Sequence, residues 1–349
     1  MAYTDIDKPS DYFNTKLFTG NGSSGHAISG VGFQSDWTWI KNRSAGNSNH
    51  RITDAVRGVT KEIYSDLTAA EYTNTDGLTA FGSDGFTVGS NADYNGNGNS
   101  IVSWNWKAGT SFTNDASSTG IGSIDSAGSV NTTSGFSIVS FTDGGSNATI
   151  AHGLGVVPKV IIIKNRAAAE GWYSYWQPLG NNKQVTLNTT SASSTTGMWN
   201  NTTPTSTVFS LDTNTGGLSS GNYIAYCFAE KKGYSKFSSY IGNGNVSGTY
   251  VHLGFKPAFV LIKKTTGTNG WWGIQDNKRE PENIVDKILY ANVSDAEYSG
   301  ANYSQDFLSN GFKIRTAHAG MNESAAPYIY MAFAENPFTT STGVPATAR

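Results

Sequence analysis

Apolar positions along this chain come in short runs rather than at helical spacing. Three runs are each closed by a lysine: Trp37-Thr38-Trp39-Ile40 by Lys41, Val160-Ile161-Ile162-Ile163 by Lys164, and Phe259-Val260-Leu261-Ile262 by Lys263. They are bulky or β-branched and bounded by Gly or Pro, which predicts buried strands. A glycine stands nine residues before each lysine, at Gly32, Gly155 and Gly254. Pro158 and Pro257 share one position, where the first run has Ser35.

Two further markers recur. A Gly/Ser-flanked phenylalanine (Phe86, Phe209, Phe312) precedes an aromatic-rich run: Val102-Ser103-Trp104-Asn105-Trp106, Ile224-Ala225-Tyr226-Cys227-Phe228 and Ile329-Tyr330-Met331-Ala332-Phe333. Alternation puts Trp104 and Trp106 on one face, and likewise Tyr226 and Phe228. Ahead of each lysine run, Phe18-Thr19-Gly20-Asn21-Gly22, Phe141-Thr142-Asp143-Gly144-Gly145 and Tyr240-Ile241-Gly242-Asn243-Gly244 end a strand in a tight turn, where Gly and Asn tolerate positive φ. The lysines repeat at offsets of 123 and 99 residues and the phenylalanines at 123 and 103. Two markers moving together point to an internal repeat.

The expected fold is therefore all-β: three tandem repeats of a β-sandwich module of jelly-roll type. The modules span residues 12–109, 134–232 and 233–338. Residues 1–11 form an N-terminal arm, 110–133 a Ser/Thr/Gly/Asp-rich linker or surface loop, and 339–349 a C-terminal tail. At about 100–200 residues per domain, each module is large enough to bury its own core. The best helical candidates are Asp66 to Tyr72 and Ile284 to Tyr298, where Ala70-Glu71-Tyr72 and Ala296-Glu297-Tyr298 are equivalent and are expected as the same short helix or turn.

Composition narrows function. Only 14% of the 349 residues are charged and the net charge is −2, so no long-range field recruits nucleic acid or an anionic membrane. Gly is abundant, at 40 residues, but aromatics at 12% exclude a disordered linker. Cys227 is alone, which excludes an intrachain disulfide. No signal peptide is expected and no apolar run is long enough to span a bilayer, so membrane insertion is not expected.

Candidate chemistry is sparse. Glu230 and Glu335 each follow a strand as Phe-Ala-Glu. As one position in two modules they lie too far apart for a glycosidase pair, which needs about 5–9.5 Å; a structural pair with Lys164 or Lys263 is the alternative. Copy one has Ala108 there. The histidines His26, His50, His152, His252 and His318 lack metal-ligand spacing, and His152 and His252 are expected to orient turns. No Gly-x-Ser-x-Gly elbow, phosphate loop or dinucleotide fingerprint appears in the strand–loop–helix context it needs. No catalytic residue, cofactor or metal is assigned. Trp37, Trp39, Trp104 and Trp106 are expected in the core. Trp172, Trp176, Trp199, Trp271 and Trp272 fall near loops, where exposed rings could stack on glycan; Trp172 and Trp271 could instead belong to one repeated strand.

Tyr12-Phe13-Asn14-Thr15-Lys16-Leu17-Phe18-Thr19-Gly20, Ile40-Lys41-Asn42-Arg43, Gly233-Tyr234-Ser235-Lys236-Phe237 and Ile329-Tyr330-Met331-Ala332-Phe333-Ala334-Glu335 together resemble a family of tailed-bacteriophage proteins, especially of marine phages, labelled virion structural or tail-fibre-like. The resemblance implies a non-enzymatic virion component, made in the host cytoplasm, with other virion proteins as partners. The first expectation is a tail or tail-fibre protein at the particle surface, homo-oligomeric (a trimer or ring) and contacting host-surface glycan. The alternatives are a capsid (head) decoration protein and a glycan depolymerase.

Overall fold

A computed structural model describes residues 3–212, 218–268 and 270–345. The protein is all-β, built from antiparallel sheets. Among the described residues no helix is long and apolar enough to cross a membrane.

Three large sheets share one strand order. The first runs Phe13–Thr19, Ser100–Trp106, Trp37–Asn42, Arg51–Asp54, Lys61–Tyr64, Tyr72–Thr73. The third runs Ser235–Ile241, Pro327–Pro337, Phe255–Lys264, Trp272–Asp276, Lys287–Tyr290, Tyr298–Ser299. The second runs Phe136–Asp143, Gly221–Phe228, Val160–Asn165, Tyr173–Trp176, Lys183–Thr186, Ser194–Thr195, with Ser126–Asn131 and Thr110–Asn114 added beyond Phe136–Asp143. Each lysine-ended run lies beside its aromatic closing strand, with Trp39 opposite Trp104, Ile162 opposite Tyr226 and Leu261 opposite Met331.

A smaller sheet covers the outer face of each large one: His26–Ser29, Gly85–Val88 and Leu78–Gly82; Ala148–Ala151 and Val208–Leu211; Tyr250–His252, Gly311–Ile314 and Gln305–Leu308. The paired strands are buried on both faces, which is why they read as continuous apolar runs. Ile161, Ile163, Ala225 and Cys227 face the small sheet of the second module. Val160, Ile162, Tyr226 and Phe228, one residue out of phase, face inward. The inner faces of all three large sheets then merge into one central core, where Trp37, Trp39, Trp104, Trp106, Phe228, Phe259 and Phe333 meet. Trp106 lies 4.4 Å from Trp37 and 5.5 Å from Phe333, centroid to centroid, and Phe228 lies 6.0 Å from Phe333.

Four local expectations change. Residues 110–133 are not a linker or surface loop throughout: Thr110–Asn114 and Ser126–Asn131 extend the second large sheet. The segments expected as a short helix or turn hold no helix: one is a turn and irregular chain leading into Tyr72–Thr73, and the other is strand Lys287–Tyr290 and a turn leading into Tyr298–Ser299. The first residues do not form an arm reaching away: Ile6 is buried in the central core, and Asp5 N donates to Lys232 O at 3.1 Å. In the C-terminal tail, Ser341 N donates to the Asp7 carboxylate at 2.6 Å, so the two end segments meet on the same molecule.

Candidate functional site

The repeated lysines mark the junctions between modules. Lys41 Nζ donates to Asn42 O, Ser48 O and, across to the third module, Ser294 O, at 2.9, 2.7 and 3.2 Å. Lys164 Nζ donates to Asn165 O, Ala168 O and, in the first module, Thr68 O, at 2.8, 3.3 and 3.1 Å. Lys263 Nζ donates to Gly270 O and, in the second module, to Thr189 O at 3.5 Å. Each module thus latches onto the one before it, and the first onto the third, closing a ring. Burial lowers the lysine pKa to about 8 at Lys41 and Lys164 and to about 7 at Lys263. A Lys164 or Lys263 pair with Glu230 or Glu335 does not form: Glu335 lies 3.6 Å from Lys256, and Glu230 accepts from Phe237 N at 3.5 Å.

Two junctions also carry an ionic network. Arg57 Nε meets Asp54 at 2.5 Å with both side chains fully buried, Tyr226 OH of the second module donates to Asp54 at 2.7 Å, and Glu71 takes Arg166 from that module at 2.9 Å. Arg279 and Asp276 repeat the pair at 2.5 Å, with Trp104 Nε1 of the first module donating to Asp276 at 3.0 Å and Arg43 meeting Glu297 at 2.7 Å. Burial pushes Glu71 and Glu297 up, but Arg166 with Arg57, and Arg43 with Arg279, outweigh it and hold both below the usual carboxylate range. At the third junction the matching positions are Trp176, Leu179 and Ser193, with no charged side chain among them, and Ser193 N and Oγ donate to Thr265 O at 2.9 and 3.1 Å.

The tryptophans expected as sugar platforms are largely inside. Trp172, Trp176, Trp199 and Trp272 are at most 1% exposed. Trp172 Nε1 donates to Tyr64 O at 2.7 Å and Trp272 Nε1 to Thr186 O at 3.1 Å, each bridging to the preceding module. Trp199 fills the sandwich of the second module, and Trp176 lies 5.8 Å from Trp272 in the central core. Rings enclosed on both faces cannot stack on a glycan, so these four are corrected to core. Trp271 is half-buried, its ring 5.4 Å from Tyr290. The repeated position is Trp172 with Trp272 rather than with Trp271: their backbone N–H groups donate to Asn188 and Asn292 in the same way, at 2.8 and 3.0 Å. His50 stands there in the first module, donating from its backbone to Asp66 at 3.1 Å and accepting from Trp39 Nε1 at 2.9 Å.

His152 is buried and accepts from Leu154 N at 3.2 Å, holding a turn. His252 is exposed instead, beside Tyr250 OH at 3.3 Å. Sequence reasoning missed Asn95 and Asn322, buried amides that pin the Gly-Asn-Gly turns. Asn95 accepts from Asn21 N at 2.9 Å, and Asn322 accepts from Asn243 N at 3.0 Å. Among the described residues no cluster of three His, Cys, Asp or Glu is placed to hold a metal.

It also missed a cleft of 580 Å³ where the second and third modules join. Its lining comes from both modules and both end segments, with Tyr3 and Asp5 from the first residues, Lys159, Glu230 and Lys232 from the second module, and Lys236 and His252 from the third. Phe338 N donates to Gly254 O at 3.1 Å, Asp5 N donates to Lys232 O at 3.1 Å and the Asp5 carboxylate accepts from Lys232 N at 3.2 Å, which fixes both end segments to the rim. Gly233 makes this possible. At φ +75° its missing Cβ would stand 2.2 Å from Thr4 Oγ1. Tyr3 and Phe338 remain 63% and 42% exposed. Glu230 lines this cleft and Glu335 a different one, with Lys256 and Lys278.

No curated protein and no solved structure matches the chain. Residues 8–337 match the model of a family described as a domain of unknown function, DUF7483, and the chain belongs to that family.

Proposed function

We propose that this chain is a non-enzymatic structural protein of a tailed-phage particle, a tail or tail-fibre component at the particle surface that works as part of a larger assembly and contacts host-surface glycan. The observation that carries the reading is the closed ring of modules. Its buried cations and carboxylates are held by backbone carbonyls and by each other across the junctions, so the polar chemistry serves rigidity rather than turnover. The separation of Glu230 and Glu335 into different clefts supports the same reading. The phrases quoted above carry the link to phage.

Two measurements test it. A map of purified particles should contain this chain on the tail or fibre; its absence from the particle overturns the assignment. Host-surface polysaccharide incubated with the protein should yield no new reducing ends, and Glu230→Gln and Glu335→Gln should leave that result unchanged. Cleavage lost on either substitution would restore an enzymatic role.

A further inference from the structure

We infer that the cleft between the second and third modules is the glycan site, and that its ligand is an oligosaccharide bearing carboxylates, such as a uronic-acid polymer. The inference deepens the attachment role proposed above and rests on it for its biological meaning.

The lining holds three lysines, Lys159, Lys232 and Lys236, against two carboxylates, Asp5 and Glu230. Both carboxylates are turned to the protein's own backbone: Asp5 accepts from Lys232 N at 3.2 Å, and Glu230 from Phe237 N at 3.5 Å. Lys236 Nζ donates to His252 O at 3.0 Å. Among the described residues neither Lys159 nor Lys236 forms an ion pair. The cleft is therefore locally cationic on a chain whose net charge is −2.

The volume of the cleft falls in the range of about 300–1,000 Å³ typical of ligand sites. Tyr3 and Phe338 bring two exposed rings to it, and Gly233, Ser235 and Gly254 also line it. A pyranose offers an apolar face to a ring and hydroxyls to polar groups, and a uronate adds the anion that lysines select. Single-stranded nucleic acid shares stacking and negative charge, but it requires a longer cationic groove than these lysines provide.

The test uses the full purified chain and calorimetric titration with tetragalacturonate, neutral maltotetraose and a short oligothymidylate. Tetragalacturonate should bind, more weakly at high salt, and maltotetraose should bind much less. Lys159→Gln with Lys236→Gln should weaken binding by about tenfold or more, the loss of a charge-assisted bond. Phe338→Leu should weaken it with its salt dependence unchanged. Each variant is first checked for an unchanged melting temperature; should the double variant melt early, the single Lys159→Gln and Phe338→Leu proteins carry the test. No binding at millimolar tetragalacturonate, binding that the substitutions leave intact, or equal affinity for oligothymidylate would overturn the inference. A chain present on the particle that binds no uronate removes the cleft inference alone. A chain absent from the particle that binds uronate removes the virion assignment and leaves the cleft.

Discussion

Lys41, Lys164 and Lys263 keep their ammonium groups among carbonyl oxygens, and that environment sets the pH response of the fold. Burial is the main cause of their lowered pKa, about 8, 8 and 7, against 10.5 for an exposed lysine. Between these values and 10.5 the unfolded chain binds more protons than the folded one. Stability therefore rises with pH in this window, by up to about 1.4 kcal/mol per pH unit for each lysine fully in it. Burial raises the Cys227 thiol to about 12, so this one group opposes the lysines above about pH 9. Burial raises Asp66 to about 6 and lowers His50 well below 6.5, so both act below neutrality, while the buried tyrosines act above about 10. Urea unfolding at pH 7 to 9.5 should show a rising midpoint, and Lys263→Met should reduce the slope; a midpoint that falls across this range would refute the assignment. Trp106 makes a second point at this scale. It is 1% exposed against Trp37, Phe13 and Phe333, so Trp106→Ala should cost about 3–5 kcal/mol. Its Nε1 has no partner among the described residues, so Trp106→Phe removes no hydrogen bond and should cost clearly less. Equal losses in the two denaturation curves would contradict this.

At the scale of strands and junctions, the three contacts between modules are chemical variants of one geometry. Asp54 with Arg57 and Asp276 with Arg279 are buried ion pairs, and Trp176 with Leu179 is their apolar counterpart. Removing one charge of a buried pair leaves the other stranded, so Arg57→Leu should cost about 3–5 kcal/mol. Replacing Asp54 by Leu as well should recover much of that, because an apolar pair of similar volume is often neutral. A double variant as unstable as the single would show that the charges themselves hold the junction. The same comparison explains what the sequence could disclose. The lysine-ended strands were legible because burial on both faces leaves an unbroken apolar run. Residues 66–72 and 284–298 looked helical because Ala-Glu-Tyr carries no strand signal. Their conformation is set from outside, where Glu71 N donates to Arg166 O and Glu297 N to Arg43 O of a neighbouring module. Thr110–Asn114 and Ser126–Asn131 are polar edge strands of a composition shared with linkers. Trp172, Trp176 and Trp272 looked exposed because surfaces that enclose them belong to other modules, whereas Trp199 is enclosed by its own. The cleft was illegible for a related reason: Tyr3 and Phe338 come from opposite ends of the chain.

For the whole molecule, the shared core changes what a module is. A module of about a hundred residues is long enough on average to fold alone, but here each contributes only part of the central core. Cutting out residues 134–232 would expose Val160, Ile162, Trp172, Trp176, Tyr226 and Phe228 together, one contiguous apolar face. It would also leave Lys164 and Trp172 without the first-module carbonyls they donate to, Thr68 O and Tyr64 O, at a cost of about 1–3 kcal/mol for each buried polar group left unpaired. The ring closure makes the penalty mutual, since the first module depends on the third through Lys41 and the third on the second through Lys263. The 349-residue chain should therefore unfold in one transition despite its three modules. Its calorimetric and van't Hoff enthalpies should agree. The isolated 134–232 segment should show no cooperative melting, and the same should hold for a fragment comprising 12–232, whose central face remains open. Separate transitions in the full chain, or a fragment that melts cooperatively as a monomer, would mean that the small-sheet sandwiches suffice and that the central core only docks modules already folded.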